Sequence, residues 1–218
     1  KEKSVRAQFG GSGGTPFGFG CANAIVLSKA KDALGLNKCK IAFTGAAPLA
    51  PDTIWYFSSL DLPIYEVFGQ SECTGPHTIC AEGEWKVGTC GRPMYGTESR
   101  LVPENGEVCY RGRHIFMGYM YMEQQTQDTI DSEGYLHSGD VAEFDRDIKS
   151  KANGCLEDMV GESGFMRITG RIKELIITAG GENIPPVLIE TEMKGEMMAL
   201  SNCIVVGDKR KYLTMLVC

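Results

Sequence analysis

The sequence lacks three features that would place it quickly in a functional class. No two of its nine cysteines form a CxxC pair, no block of lysine and arginine occurs, and no apolar run approaches the ~18 residues of a membrane span. Without close cysteine pairs a zinc site is not expected, and the odd count argues against a secreted disulfide framework. Reduced thiols in an intracellular protein fit this usage best.

The charge balance excludes a further class. The net charge is −6, and the missing basic block removes the electrostatic footprint of a nucleic-acid binder. Because the overall field repels phosphate, any loop that holds phosphate needs a cation nearby.

The amino-terminal part predicts no globular structure. The start, "KEKSVRAQFG", is not a signal peptide and has no Met, and "KYLTMLVC" ends within a predicted strand, so we expect a piece of a longer protein. Residues 1–21 are predicted to be a flexible segment, since "GGSGGTPFGFG" (10–20) is too rich in glycine to pack. A phosphate-binding loop is the alternative, but no basic residue follows before Lys29.

The next part predicts a parallel βαβ unit. A helix is expected over 22–34, with Gly35 as its C-cap, followed by a strand over 38–45. A helix over 50–60 and a second strand over 62–68 complete the order strand, helix, strand.

The pattern then changes to short, glycine-punctuated strands. Residues 84–145 predict a small antiparallel barrel or sheet, and the polar, aperiodic residues 145–163 predict a surface insertion. A domain boundary is expected near Gly170. The fold class is therefore α/β, with part of a large domain over 22–169 and the start of a small α+β domain over 170–218, where a helix and a carboxy-terminal hairpin are predicted.

Two predicted loops follow the carboxyl ends of the parallel strands, where ligands bind in such sheets. Small residues in "FTGAAP" (43–48) and "VFGQSE" (67–72) would let a planar group such as a nucleobase lie against the backbone. Ser71 could donate to a phosphate oxygen, and Glu72 could bind a hard cation. The alternative is two tight turns, with Glu72 an ordinary carboxylate in the first turn of a helix.

Two later segments carry further candidates. In "GYLHSGD" (134–140), Asp140 could accept two hydrogen bonds from a ribose diol; the alternative is a turn aspartate. In "TGRIKELIITAGGENIPP" (169–186), an extended backbone would point Arg171 and Lys173 to the same side, and the two glycines permit unusual backbone geometry. A solvated basic strand beside a hairpin is the alternative.

Four motifs follow one another along the chain: Gly-Ala-Ala-Pro-Leu, Phe-Gly-Gln-Ser-Glu, His-Ser-Gly-Asp, and Gly-Arg-Ile-Lys-Glu followed by Gly-Gly-Glu-Asn. In this order they resemble the motifs of the adenylate-forming superfamily of acyl-CoA synthetases, luciferases and peptide-synthetase adenylation domains. The segments "ECTGPHTI", "GRHIFMGYM" and "ITAGGENIPP" are most similar to long-chain fatty-acid CoA ligases of the bubblegum type. The resemblance runs from about Ala22 to the carboxyl terminus.

The resemblance implies an activity and its substrates. Members activate a carboxylate with ATP to an acyl-adenylate, release pyrophosphate, and transfer the acyl group to coenzyme A, with Mg²⁺ as the metal. It implies that one turn flanks the adenine: Gly45, Ala46 and Ala47. It implies that one strand and its end line the AMP site: Glu66, Val67, Phe68, Gly69, Gln70 and Ser71.

The remaining roles also rest on the resemblance. Glu72 would bind the Mg²⁺, Asp140 the ribose hydroxyls, and Arg171 would support Asp140. Lys173 matches the hinge about which the small domain rotates between the two half-reactions, and Glu72 and Lys173 are the implied catalytic residues. One loop would reach the pantetheine channel: Gly180 and Gly181.

The full-length protein is therefore expected to be an ATP-dependent long-chain fatty-acid CoA ligase with fatty acid, ATP and coenzyme A as substrates. The family's phosphate loop ending in Pro-Lys is absent upstream, and its C-terminal lysine would lie beyond Cys218, so this piece alone is expected to be close to inactive. Amino-acid adenylation, light emission, and a non-catalytic nucleotide- or lipid-binding module are the alternatives. The expected location is cytoplasmic, with peripheral association with the endoplasmic reticulum or another internal membrane.

Overall fold

The computed structural model describes residue 14 and residues 16–145, 164–197 and 199–218. The predicted surface insertion over 145–163, apart from its first residue, and most of the predicted flexible segment over 1–21 lie outside the described residues. The chain divides into two units. One holds the described residues up to Glu98, Gly112–Met117 and those of Phe144–Arg167; the other holds Ser99–Arg111, Gly118–Glu143 and the described residues from Ile168 onward.

The first unit begins with a helix that starts earlier than predicted. It runs without interruption through an α-helical, a π-helical and a second α-helical part: α1 (Phe19–Ala22), Asn23–Leu27 and α2 (Ser28–Ala33). Gly35 follows with a φ of +72°, which confirms the predicted glycine stop, because a left-handed residue ends a helix at little cost for glycine.

The predicted parallel βαβ unit is confirmed. Its elements are β1 (Ala42–Thr44), α3 (Pro51–Ser59) and β2 (Ile64–Gln70). The two strands are parallel neighbours, with Thr44 opposite Glu66. Pro51 occupies the first turn of α3, where its missing N–H costs nothing, and Asp52 adds the acidic first turn that favours a helix start.

The core of this unit lies between α3 and β2. Ile54 of α3 and Tyr65 of β2 are buried together with Cys80 and Trp85. The Tyr65 and Trp85 rings meet edge to face, with centroids 5.8 Å apart. This packing fixes the direction of β2 and therefore the position of its carboxyl end.

Beyond β2 the sheet becomes antiparallel, which the sequence did not indicate. β3 (Gly75–Ile79) returns against β2, and β4 (Arg92–Pro93) pairs with β3, so the sheet order is β1-β2-β3-β4. The Gly75-Pro76 pair resembles a turn in sequence, yet it opens a strand, since proline is tolerated near the start of a strand and at a register shift.

The predicted antiparallel strands are confirmed. Four strands form one sheet in chain order: β5 (Thr97–Leu101), β6 (Glu107–Gly112), β7 (Leu136–Asp145) and β8 (Phe165–Arg171). A short helix, α4 (Glu123–Thr129), precedes β7. Val108, Tyr110 and Leu136 have no exposed surface, so the centre of β6 and β7 is buried.

The predicted carboxy-terminal helix and hairpin are confirmed, and two short strands that were not predicted precede them. The strands β9 (Ile176–Ile177) and β10 (Asn183–Ile184) pair, α5 (Pro186–Glu196) follows, and β11 (Cys203–Val206) and β12 (Thr214–Val217) form an antiparallel hairpin. The Glu190 carboxylate accepts a hydrogen bond from the Val205 N–H at 2.8 Å, which ties α5 to the hairpin.

The eight described cysteines are free thiols. None of the helices in the described part of the chain has the length and apolar character needed to cross a bilayer.

Candidate functional site

The turn after β1 contains a strained residue. Gly45, Ala46 and Ala47 are exposed, and Ala46 has a φ of +67°, a left-handed conformation that costs a residue with a Cβ about 1–2 kcal/mol. Gly45 is fixed by its neighbour in the sheet, because a Cβ there would lie 2.9 Å from Cγ2 of Val67. The predicted adenine-flanking turn and the predicted AMP-lining strand are therefore in direct contact.

Glu66 in the middle of β2 is a half-buried carboxyl group. Its Oε2 accepts a hydrogen bond from the Gly88 N–H at 3.1 Å. Burial raises the pKa of Glu66 to about 7, although the Gly88 hydrogen bond acts in the opposite direction. Near neutral pH this side chain is therefore divided between its neutral and its charged form.

The strand does not end where the apolar run ends. The predicted end of β2 at Phe68 is wrong, since β2 continues through Gly69 to Gln70. A Cβ on Gly69 would lie 1.8 Å from the carbonyl oxygen of Gly75, at a shift in the β2–β3 register. Only glycine fits at position 69, because the backbone of the neighbouring strand β3 passes directly against it.

Ser71 and Glu72 begin a single 3₁₀ turn, Ser71–Cys73, directly after β2. Ser71 is exposed and Glu72 is half-buried. The turn is held at both ends: the Gln70 N–H donates to Cys73 Sγ at 3.3 Å, and the Glu72 carbonyl accepts from the Phe116 N–H at 2.8 Å. A partly accessible carboxylate on a fixed turn is a donor that suits Mg²⁺, which prefers hard oxygen ligands.

Two stacked histidines, His77 and His114, lie close to this turn, and His114 belongs to the same segment as Phe116, whose N–H contacts the turn. The His77 ring has no exposed surface and is stacked on His114 at 5.3 Å, with Nδ1 of His77 3.2 Å from Nε2 of His114. Burial and the neighbouring His114 lower the pKa of His77 to about 3, so it is neutral at physiological pH. The Thr74 hydroxyl, at the end of the turn, donates to the His114 carbonyl at 3.0 Å, so the pair is tied to the turn.

In the second unit, Asp140 and Arg171 form an ion pair. Asp140 is buried, and its Oδ1 accepts a hydrogen bond from Arg171 Nε at 3.2 Å. The Asp140 N–H donates to Ser138 Oγ at 3.0 Å, and the preceding Gly139 has a φ of +73°. Burial raises the pKa of Asp140, while the Arg171 guanidinium lowers it in part. Arg171 therefore contacts Asp140, and its role as the support of a ribose-binding aspartate stays a prediction.

The expected arrangement of Lys173 is wrong. Ile172–Glu174 is a 3₁₀ turn and not an extended segment, so Arg171 and Lys173 do not share a face. Side chains three apart come together in such a turn, and Arg171 lies 4.0 Å from Glu174. Lys173 is exposed.

The two glycines predicted for a CoA-facing loop lie in the connection between β9 and β10. Gly180 and Gly181 are exposed, and Gly181 has a φ of +82°, the conformation for which glycine is favoured.

Comparison with known proteins assigns the family. The model of the AMP-binding enzyme family matches residues 20–120. Over 210 residues the chain is 44% identical to the long-chain-fatty-acid–CoA ligase ACSBG2 of Xenopus laevis, covering 94% of this chain and 26% of that protein. The chain belongs to the AMP-binding enzyme family. It spans about a quarter of the length of the curated relatives that it matches.

Other similarities agree with this membership. The chain of this AMP-binding protein is 42% identical over 205 residues to the long-chain-fatty-acid–CoA ligase ACSBG1 of Rattus norvegicus, covering 92% of the chain and 26% of the relative. The structure of the Bacillus subtilis O-succinylbenzoate coenzyme A synthetase in complex with ATP and magnesium ion superposes with a TM-score of 0.65 at 20% identity. It covers 82% of this chain and 36% of the other, which confirms the α/β fold class.

Sequence reasoning missed one polar cluster in the AMP-binding protein. His137 Nδ1 lies 2.9 Å from Glu107 Oε2 and 3.4 Å from Cys109 Sγ. Burial and the Glu107 charge raise the pKa of the Cys109 thiol to about 12. The usable signal was the i, i+2 spacing of Glu107 and Cys109, which places both on one face of a strand.

Proposed function

We propose that the full-length protein containing this chain is an ATP-dependent long-chain fatty-acid–CoA ligase. The observation that carries the proposal is 44% identity over 94% of the chain to a protein named as such a ligase. The reaction has two steps. The fatty carboxylate attacks the α-phosphorus of ATP and releases pyrophosphate; the thiol of coenzyme A then attacks the acyl carbon and releases AMP.

For the nucleotide we propose roles that follow the family motifs. The backbone of Gly45–Ala47 would flank the adenine, and the segment from Glu66 to Ser71 would line the AMP. The exposed hydroxyl of Ser71 supports a contact with the α-phosphate. Glu72 would hold the Mg²⁺, whose charge offsets that of the phosphates; its half-buried carboxylate on a braced turn supports this role.

For the ribose we propose that the Asp140 carboxylate accepts a hydrogen bond from each of the two hydroxyl groups. A carboxylate held by a guanidinium keeps a fixed orientation, and the Arg171 contact at 3.2 Å supports this. Buried acceptors discriminate strongly, because an unmatched acceptor loses its solvation without compensation.

For the second half-reaction we propose that Lys173 acts as a hinge residue and that Gly180 and Gly181 approach the pantetheine of coenzyme A. The exposed turn at Lys173 and the positive φ of Gly181 support these roles, since hinges are short connecting segments that absorb backbone rotation.

The decisive experiment is ATP–pyrophosphate exchange with a panel of fatty acids, using the full-length protein and its Asp140→Ala variant. Loss of the ribose acceptor is expected to lower exchange by ~10⁴-fold or more. Asp128→Ala, which removes an exposed carboxylate from α4, is the matched control and should leave exchange unchanged. Asp140→Asn keeps the side-chain shape, so a loss of exchange in this variant as well would show that the loss in Asp140→Ala does not come from misfolding. Exchange by a folded Asp140→Ala protein at the wild-type rate refutes the role of Asp140, and absence of exchange by the wild type with every fatty acid refutes the ligase.

A further inference from the structure

Three side chains with metal-binding atoms converge on one face of the sheet in the second unit. Cys109 of β6 and His137 of β7 are direct partners in the antiparallel register. Glu107 precedes Cys109 by two positions and points to the same face, and a register shift between Glu107 and Cys109 brings its carboxylate toward His137. Strand pairing therefore positions all three.

The distances match those within a coordination sphere. The carboxylate oxygen, the thiol sulfur and the ring nitrogen all lie within 4.8 Å of one another, with contacts of 2.9 Å from His137 Nδ1 to Glu107 Oε2 and 3.4 Å to Cys109 Sγ. In a tetrahedral zinc site, bonds of about 2.0–2.3 Å place neighbouring ligand atoms roughly 3.3–3.8 Å apart. A small outward shift of the carboxylate is sufficient to admit an ion.

The ligand atoms are held by a second layer of contacts. The other oxygen of Glu107, Oε1, accepts the Gly139 N–H at 2.9 Å. The other nitrogen of His137, Nε2, lies 3.7 Å from Asp131 Oδ2. Asp131 is itself fixed by an ion pair with Arg100 and by the N–H of Tyr135 at 2.9 Å. A carboxylate beside the far nitrogen of a ligating histidine is the usual support of a zinc site.

We propose that Glu107, Cys109 and His137 form a binding site for a thiophilic divalent transition metal, with Zn²⁺ as the ion that fits best. A thiolate and an imidazole select zinc-like ions over Mg²⁺ and Ca²⁺, which require oxygen ligands. Binding replaces the thiol proton of Cys109, which is released to solvent.

Burial favours a site with one open position. Cys109 is fully buried and Glu107 is 7% exposed, whereas the His137 side chain is 33% exposed. An ion would enter on the His137 side and would keep a water as its fourth ligand, as in zinc sites with three protein ligands. The expectation that cysteine usage excludes zinc rested on pairs close in sequence, and it does not apply to ligands brought together across two strands.

The test uses the full chain, stripped of metal with a chelator and titrated with Zn²⁺ by calorimetry and with Co²⁺ by absorption. The expected result is one Zn²⁺ per chain and a cobalt–thiolate charge-transfer band. Cys109→Ser and His137→Gln should each weaken Zn²⁺ binding by at least about 100-fold, and Asp131→Asn by about 10–100-fold.

Cys203→Ser removes another buried thiol and is the matched control, which should keep wild-type stoichiometry and affinity. Circular dichroism of each variant establishes that its fold is retained. Two results overturn the proposal: a wild-type chain that binds no stoichiometric Zn²⁺, or folded Cys109→Ser and His137→Gln proteins that bind as tightly as the wild type.

Discussion

Replacing Glu66 by Gln tests the electrostatics at the predicted nucleotide-lining strand. The carboxyl of Glu66 has its pKa raised from 4.5 to about 7 in the folded chain. Between these values the folded protein retains a proton that the unfolded chain has lost. The neutral carboxyl therefore makes its full contribution to the free energy of unfolding at low pH, and this contribution declines as the pH rises from 4.5 to about 7.

The magnitude follows from the shift. A difference of about 2.5 units at ~1.36 kcal/mol per unit corresponds to about 3 kcal/mol for a fully enclosed group. Glu66 is only half-buried, so solvent screening reduces the expected effect to about 1–2 kcal/mol. A glutamine keeps an acceptor for the Gly88 N–H and cannot ionise, so Glu66→Gln should remove this pH dependence.

The assay is urea unfolding of the chain at about pH 5 and about pH 8. Relative to the wild type, the free energy of unfolding of the Glu66→Gln variant should increase by about 1–2 kcal/mol on going from the lower to the higher pH. Glu104→Gln, at an exposed turn carboxylate, is the matched control and should show the wild-type pH dependence. Parallel pH profiles for wild type and Glu66→Gln would contradict a raised pKa.

Three further predictions concern single residues. Gly69→Ala should destabilise the chain by about 2–3 kcal/mol in urea unfolding, because its methyl group meets the backbone of Gly75. Gly195→Ala, in open space on α5, should instead stabilise it by about 0.5–1 kcal/mol. Ala46→Gly should stabilise the chain by about 0.5–1 kcal/mol in the same assay. Glycine removes the strain of the left-handed backbone, and this gain exceeds the cost of the greater conformational entropy of the unfolded chain. A destabilised variant would contradict strain at Ala46. In the full-length protein, Lys173→Ala should slow acyl-CoA formation about 10–100-fold, while pyrophosphate exchange changes little. The control Lys194→Ala should affect neither half-reaction. Equal loss of both half-reactions in Lys173→Ala would contradict a hinge role.

The parts of the fold that were predictable are those set by local patterns. Pro51 and the apolar face of α3 mark a helix between two short apolar strands, and a helix of that length between strands imposes the parallel pairing of β1 and β2. Likewise the glycine-punctuated alternation around β6 and β7 identifies antiparallel strands. In both cases the information lies within about ten residues of the chain.

The parts that were not predictable depend on contacts between distant segments. β3 was missed because Gly75-Pro76 has the composition of a turn, and only pairing with β2 makes it a strand. The cluster around His137 depends on a shift in the register between β6 and β7, which has no sequence signature. The 3₁₀ turn at Lys173 is a local conformation that neither charge nor apolar alternation identifies.

The small residues at the ends of β1 and β2 are required for different reasons, so they are not equally good evidence for a bound ligand. Gly69 is required by the Gly75 carbonyl of the next strand, and Gly45 by the Val67 side chain, so both are explained by packing alone. Ala46 is different, because it is exposed and holds a left-handed backbone that glycine would adopt more easily. Strain that is retained at an exposed residue is the feature associated with functional sites. Within these two loops, the backbone of Ala46 is therefore better evidence for a bound nucleotide than the glycines beside it.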